Sequence, residues 1–535
     1  MKKLSFLIAV FIFLAANIFA QDLRKKAEEN PLDCYFYLLT KQKPDDRDRW
    51  QIEKLIITYS EINLYEKAFD AINLFENTDY KVGYFTFISK TLIADGKRVE
   101  ANKFLTEAVK NVNAEDAPAR YTSTELVQTL IELGRTDEAI NIAKILTDEF
   151  EENDVTMAVA DEFLKRGQTE KLREFTAQSF FPHESENNLT RAKLALIYAR
   201  LQQTEKSQKI LKELEETAFF GESEIDANNN RERILFPLLR VHLELGETEK
   251  AFELWNQRGD QENFYEISKF IDNLIEYNQK EKALLLLAQM QLNKEQMNRN
   301  GENVVKGYLN LSDFESALSI AKNMSENDDN YSQQQSLMIL TDKFIADGKH
   351  NAALEVLDFA FQRVKKIVFA HEPYQSIGAS SGSRKIIYLR NIYNRLIKLK
   401  QFDKAFDTIN AIKSDHWSAK EFVVESLTDF VGHRAKNLPR KKIDQILTRI
   451  KTIYTDEDDK DYKIHAEPAI AEIYALTGNK LKSVEHLTKI LKDATEISYS
   501  ERYLLFQAGK IFEQNKLKAT ADLKKVLKKY IEDAE

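Results

Sequence analysis

Along most of this chain the apolar residues recur at three- and four-residue spacing, and short polar breaks interrupt them at regular distances. Around residue 246 the pattern is clear: Leu235, Leu239 and His242 form a stripe before Gly246, and Phe252 and Trp255 continue one after it. Spacing of this kind belongs to amphipathic helices and predicts two of them meeting at the break. The break itself has a fixed grammar, a turn-tolerant or polar residue followed five places later by a small one. Read this way, the pairs are Asn63 with Ala68, Gly96 with Ala101, Gly134 with Ala139, Gly167 with Leu172, Gln202 with Ser207, and Gly246 with Ala251. They continue as Asn278 with Ala283, Ser312 with Ala317, Gly348 with Ala353, Lys400 with Ala405, Gly478 with Ser483, and Gln514 with Ala519.

Nine of the twelve second members are Ala and two are Ser, and the spacing between successive ones is 33, 38, 33, 35, 44, 32, 34, 36, 52, 78 and 36. The longest interval divides into two units if a degenerate one lies at 437–447, "NLPRKKIDQIL". Gly or Asn tolerates the left-handed backbone that ends a helix. A Thr or Asp soon afterwards, such as Thr248 or Thr136, opens the next helix with acidic residues in its first turn. The small residue lets the two helices approach closely. Each unit is therefore expected to be a helical hairpin of about 35 residues.

The stretches "LGETEKAFELW", "LGRTDEAINIAKIL" and "KQFDKAFDTINAI" resemble the tetratricopeptide repeat (TPR) family over about residues 50 to 519. The resemblance implies a right-handed α-solenoid of about 12–13 TPR-like helix-turn-helix repeats, in which each hairpin buries its apolar stripe against its neighbours only. The expected organisation is a signal peptide at 1–20, an N-terminal cap segment at 21–48 and repeats at 49–365. A loop insertion at 366–386 follows, then repeats and a C-terminal capping helix at 387–535. Three segments break the period: 217–232, the Ser-rich loop 370–384 with Pro373, Gly378 and Gly382, and the acidic run 455–461.

Composition supports an all-α fold. Only 15 Gly and 8 Pro serve 535 residues, too few for the turns of a β-sheet protein, while 43% apolar residues suffice for a core. The first twenty residues place Lys2 and Lys3 before an apolar run ending at Ala20, the layout of an export signal. Export to the periplasm or the medium is the expectation, with a membrane anchor at residues 5–20 as the alternative and no transmembrane span in the mature chain. The formal charge of -9 becomes -11 when Lys2 and Lys3 leave with the signal. An acidic chain is poorly suited to nucleic acid. Cys34 is single, so no internal disulfide forms, and it reads as a half-buried thiol.

Chemical signatures are sparse. The eight histidines show no metal-ligand spacing, and His242 on an apolar stripe reads as a satisfied core residue. Asp456 and Asp458 suggest a calcium loop until Lys460 and Asp461 fall where a ligand and a Gly are needed. There is neither a phosphate-binding Gly loop nor a nucleophile elbow, so neither an enzyme activity nor a cofactor is expected. In "YLRNIYNRLIKLKQ", Leu389, Ile392, Tyr393 and Leu396 form a buried stripe and leave Arg390, Asn394 and Lys398 in register, with Asn391 beside them. In TPR proteins the first helices line the concave groove, so the resemblance implies a clamp for a protein or peptide segment at Arg390, Asn391, Asn394 and Lys398. Asn303 and Lys306 occupy related places, as do Arg233 and Arg240 near Pro237. An ordinary polar helix face is the competing account of these residues. The alternative function is a carbohydrate-binding protein or enzyme with its site under the 370–384 loop, near Phe369 and Tyr374.

Overall fold

The repeated grammar becomes backbone geometry. In the computed structural model, twelve of the described residues have positive φ, and eleven are the first members of the pairs read from the sequence, including the non-glycines Asn63, Gln202, Asn278, Ser312 and Lys400. At Gly246 (φ 75°) the Glu247 N–H donates back to His242 O (2.8 Å) and the Gly246 N–H to Leu243 O (3.1 Å), the pairing that closes a Schellman cap. Five residues on, Ala251 donates to Glu247 O and is wholly buried. All eleven small or apolar second members, from Ala68 to Ser483, are 0% exposed. Ser207 is tolerated there because its hydroxyl donates to Ala195 O (2.8 Å) across the hairpin. The twelfth turn differs: Lys516, not Gln514, is left-handed (φ 50°), and Ala519 lies in a non-helical link before helix Ala521–Ala534.

The structure describes residues 21–41, 49–112, 120–150, 153–178, 181–182, 188–218, 224–257, 263–324, 331–367, 381–412, 417–454, 462–494 and 500–535. Among these no strand occurs, and the fold is all-α, an α-solenoid type built of TPR-like hairpins. The signal segment 1–20, residues 368–380 of the proposed loop, and the acidic run 455–461 lie outside the described residues.

The chain divides into two compact units. One is Asn77–Asp347; the other joins residues up to Glu76 with Gly348–Glu535. In the continuous unit, hairpins such as Thr78–Ala94 with Arg98–Val112 and Phe264–Glu276 with Lys280–Leu292 pack on their sequence neighbours. Trp255 stacks on Phe270 at 4.7 Å between ring centroids, tying two successive hairpins. A short helix, Lys294–Asn300, which the repeat pattern does not announce, is started by Asn293, whose side chain accepts the Gln296 N–H (3.0 Å).

The discontinuous unit holds the largest departure from expectation. Helix Pro31–Lys41, expected to cap the first repeat, packs instead on helices Ser500–Gln514 and Ala521–Ala534. Residues 31–39 are all buried, so this helix is sheathed on every side. Tyr35 and Phe506 meet at 5.5 Å, and an added Cβ on Gly509 would stand 2.5 Å from the backbone nitrogen of Leu32. At the centre, Lys67 Nζ donates to Asp33 Oδ1 (2.7 Å) and Glu513 Oε1 (2.9 Å), and Asn30 Nδ2 donates to the same Glu513 oxygen (2.6 Å). Burial pushes the Asp33 carboxyl up against the pull of Lys67. The expectation that hairpins bury apolar surface against sequence neighbours only is thus corrected in this unit.

Two anticipated interruptions are also corrected. Residues 224–232 belong to helix Glu224–Glu244, which runs through Pro237, and residues 381–386 open helix Ser381–Lys398. The degenerate unit is present: Trp417–Arg434 and Arg440–Ile453 form a hairpin in which Pro439, extended at φ -60° and ψ 141°, starts the second helix without a left-handed residue.

Candidate functional site

In the discontinuous unit the buried stripe fixes the orientation of Ser381–Lys398. Leu389, Ile392, Tyr393 and Leu396 are buried, and Arg390, Asn394 and Lys398 are exposed on the opposite side with Asn391 partly covered. Arg390 is already engaged. Its Nη2 donates to Glu425 Oε2 (2.9 Å) on the next first helix, and its guanidinium lies 5.0 Å from the Phe422 ring centroid. One turn along, Tyr393 OH donates to Asp429 Oδ2 (2.7 Å) and Ser426 O (3.0 Å). These links span 35 and 36 residues, one repeat, so they form successive rungs between first helices.

Glu421, Glu425 and Asp429 recur every four residues on Trp417–Arg434 and therefore share one face. The first helices that follow add Glu472 and His465, then Tyr503 and Lys510, and Arg49–Glu61 adds Trp50, Lys54 and Glu61. Their fields overlap. Lys510 acts on Glu425, Glu472 and Lys54 and pairs with Glu61 at 3.4 Å; His465 Nδ1 stands 3.9 Å from Glu421 Oε1. Glu425 leaves 58% of its side chain open to water, yet the protein around it raises its carboxyl above the ordinary range, with Arg390 opposing. Glu421, Glu425 and Asp429 thus form an acidic wall on the polar face of Trp417–Arg434. Glu472 is raised more simply, by burial. At the edge, Lys54 Nζ sits 3.9 Å from the centroid of Trp50 and 5.1 Å from that of Tyr503, leaving Trp50 46% exposed.

The remaining sequence candidates fall in the continuous unit. Asn303 is 8% exposed and faces the interior, whereas Lys306 is exposed near Asp272, whose Oδ1 accepts from Asn310 Nδ2 (2.8 Å). Arg240 pairs with Glu276 (3.1 Å), one repeat on, and the Arg233 side chain lies outside the described residues. Burial and Glu244 push the Tyr277 hydroxyl up to about 12. The candidate residues thus separate into two groups, one in each unit, and only Arg390, Asn391, Asn394 and Lys398 share a surface.

His242 is the satisfied core residue that its stripe implied, 2% exposed between Glu215 Oε1 (2.7 Å) and Glu247 Oε2 (2.9 Å). Cys34 is fully rather than half buried, and burial drives its thiol pKa far up, so it is inert. Among the described residues no group of three His, Cys, Asp or Glu is placed to hold a metal ion, and no helix is long and apolar enough to cross a membrane. The acidic wall was missed by the sequence reading, although the four-residue spacing of Glu421, Glu425 and Asp429 was visible in it.

No family model matches the chain, and no curated protein matches it. Among solved structures it is similar to the pentatricopeptide repeat protein PPR10 from maize, at 13% identity over 92% of this chain and 72% of that one, with a TM-score of 0.27. It is similar also to Naa15/Naa10 bound to HypK-THB (13% identity, 87% and 78% covered, TM-score 0.25). A third similarity is to the human IFIT1 dimer with m7Gppp-AAAA (13% identity, 88% and 99% covered, TM-score 0.22). At such scores the superpositions carry no weight for the site.

Proposed function

We propose that the protein is an exported, non-enzymatic scaffold that holds a segment of another protein on the first-helix wall of its discontinuous unit. The observation that carries this reading is the convergence of polar faces from five first helices, Arg390 and Lys398 on one flank, Glu421, Glu425, Asp429 and Glu472 in the middle, Lys54 and Trp50 on the other. A wall offering both signs of charge and an exposed aromatic suits an extended polypeptide, whose side chains and amides can use each in turn. The central carboxylates repel phosphate, which supports a protein partner over nucleic acid.

Photo-crosslinkers placed at Asn394 and Glu421 test the placement, with Val99, 82% exposed on the second helix Arg98–Val112, as the reference position. In cells, the two wall positions are expected to yield the same protein adduct and Val99 none. Glu421→Lys with Glu425→Lys should abolish that adduct while leaving far-ultraviolet circular dichroism unchanged. Equal adducts from Val99, or adduct formation indifferent to the double charge reversal, retires the wall as the site. Export is tested separately by N-terminal sequencing of the protein from the envelope fraction, expected to begin at Gln21; an intact Met1 there retires cleavage.

A further inference from the structure

A different surface of the same unit concentrates positive charge in a chain whose formal charge is -9. Helices Lys480–Ala494 and Ala521–Ala534, second members of successive hairpins, pack together, and Tyr530 OH donates to Leu491 O (2.9 Å). That packing turns their other faces into the two sides of an open groove of about 980 Å³. Lys489 and Lys492 stand on one side, Lys525, Lys528 and Lys529 on the other, at the three- and four-residue spacing that keeps them on one helix face. Glu485, Asp522 and Glu532 are interleaved with them, Thr488 and Thr520 add hydroxyls, and no aromatic ring contributes to the lining.

We propose that this groove binds an acidic segment of a partner protein. Five lysines against three carboxylates give a net positive surface, so the complementary occupant is anionic. The three interleaved carboxylates penalise a uniformly anionic nucleic-acid backbone but can be matched by a polypeptide that alternates acidic with neutral or basic residues. Single-stranded nucleic acid would moreover want rings on which to stack, and the groove has none. A bilayer surface needs a flat or convex face, whereas these lysines line a depression.

The site goes beyond the first-helix wall proposed above and stands or falls without it. The probe is a short fluorescent peptide of alternating glutamate and alanine, titrated with the full chain and followed by anisotropy. Binding is expected to weaken about tenfold between low and high salt, because exposed lysines act through a screened field. Lys525→Glu with Lys529→Glu should weaken it by a further factor of about ten, and Lys489→Gln with Lys492→Gln by less, each with unchanged circular dichroism. Lys436→Glu, at another turn of the unit, and the wall variant Glu421→Lys with Glu425→Lys should leave it unchanged. The proposal is overturned if the groove variants bind the peptide like the parent. It is equally overturned if oligothymidylate or phosphatidylglycerol vesicles bind more tightly than the peptide with the same dependence on Lys525 and Lys529.

Discussion

The two units are made of the same hairpin and held together in different ways. In Asn77–Asp347 the polar links between hairpins reach one repeat along the chain, as from Arg135 to Asn102 or Asn310 to Asp272, or two, as from Arg200 to Tyr277. In the discontinuous unit Asn30 bonds to Glu513 across 483 residues and Tyr37 OH donates to Glu535 across 498. One unit is a stack in which each member needs only its neighbour. The other is a body whose core exists only when distant segments meet, which makes it topologically closer to a globular domain. Repeat sequence alone therefore does not decide how far a hairpin's dependence extends.

The sharpest way to break this contrast is to spoil one close approach in each unit. Gly509→Leu drives a side chain into the backbone of Leu32, which cannot move aside, and is expected to cost about 3 kcal/mol in chemical denaturation. Amide exchange should rise over 31–41 and not over 77–347. Gly307→Ala meets only the tip of Leu287, a flexible side chain, and gains helix propensity, so it should stay within about 1 kcal/mol of the parent. Equal effects from the two would remove the distinction between the units.

A smaller effect is expected from Lys67→Met, which leaves Asp33 and Glu513 facing one another without their shared cation. With side chains 11% and 21% exposed, the loss should be about 2 kcal/mol by guanidinium titration, largely restored by adding Asp33→Asn. If Lys67→Met is neutral, the clasp does not hold the closure.

Next come the turns, which should behave alike in both units. Gly246→Ala, at φ 75°, is expected to lose about 1 kcal/mol, and Lys400→Gly, at φ 59°, to gain about 0.5–1 kcal/mol in midpoint-derived stability. A loss from Lys400→Gly, or no loss from Gly246→Ala, would show that the closing unit strains its turns differently from the stacked one.

The smallest effect is one of pH. The Glu472 carboxyl is raised by burial, so the folded state holds its proton more tightly than the unfolded chain does. Its contribution is fully present below the ordinary glutamate range and is lost as pH rises through the raised value. Glu472→Gln should accordingly melt above the parent near neutrality, the gap closing as the solution is acidified. A gap that widens on acidification reverses the assignment.

The turn grammar was legible because it rests on local physics. A left-handed residue and a small one five places on must be close in sequence, and even Lys400 and Gln202, which carry no glycine, were recognised through their buried Ala405 and Ser207. The twelfth turn misled because Ala519 mimics the small member while Lys516 does the bending. Asn293 and Gln296 carry the start signal of the extra helix Lys294–Asn300, which falls outside the 35-residue repeat pattern. The docking of Pro31–Lys41 was not legible, since nothing local tells a sheathed helix which distant face will cover it. Gly509 beside Ala508, small residues within a helix, was the one trace of it. At the candidate wall the stripe that orients Arg390 was correctly read, and its partner Glu425 was not, because the sequence shows which side chains share a face but not which neighbouring face they meet.

The clasp of Asn30, Asp33 and Lys67 on Glu513 also sets a timetable. During synthesis at roughly 5–20 residues per second, the 483 residues between Asn30 and Glu513 take on the order of 25–100 seconds to appear. Through that interval the greasy helix at 31–41 has been made and its seat has not. Closure of this unit therefore cannot precede the emergence of its last two helices, Ser500–Gln514 and Ala521–Ala534.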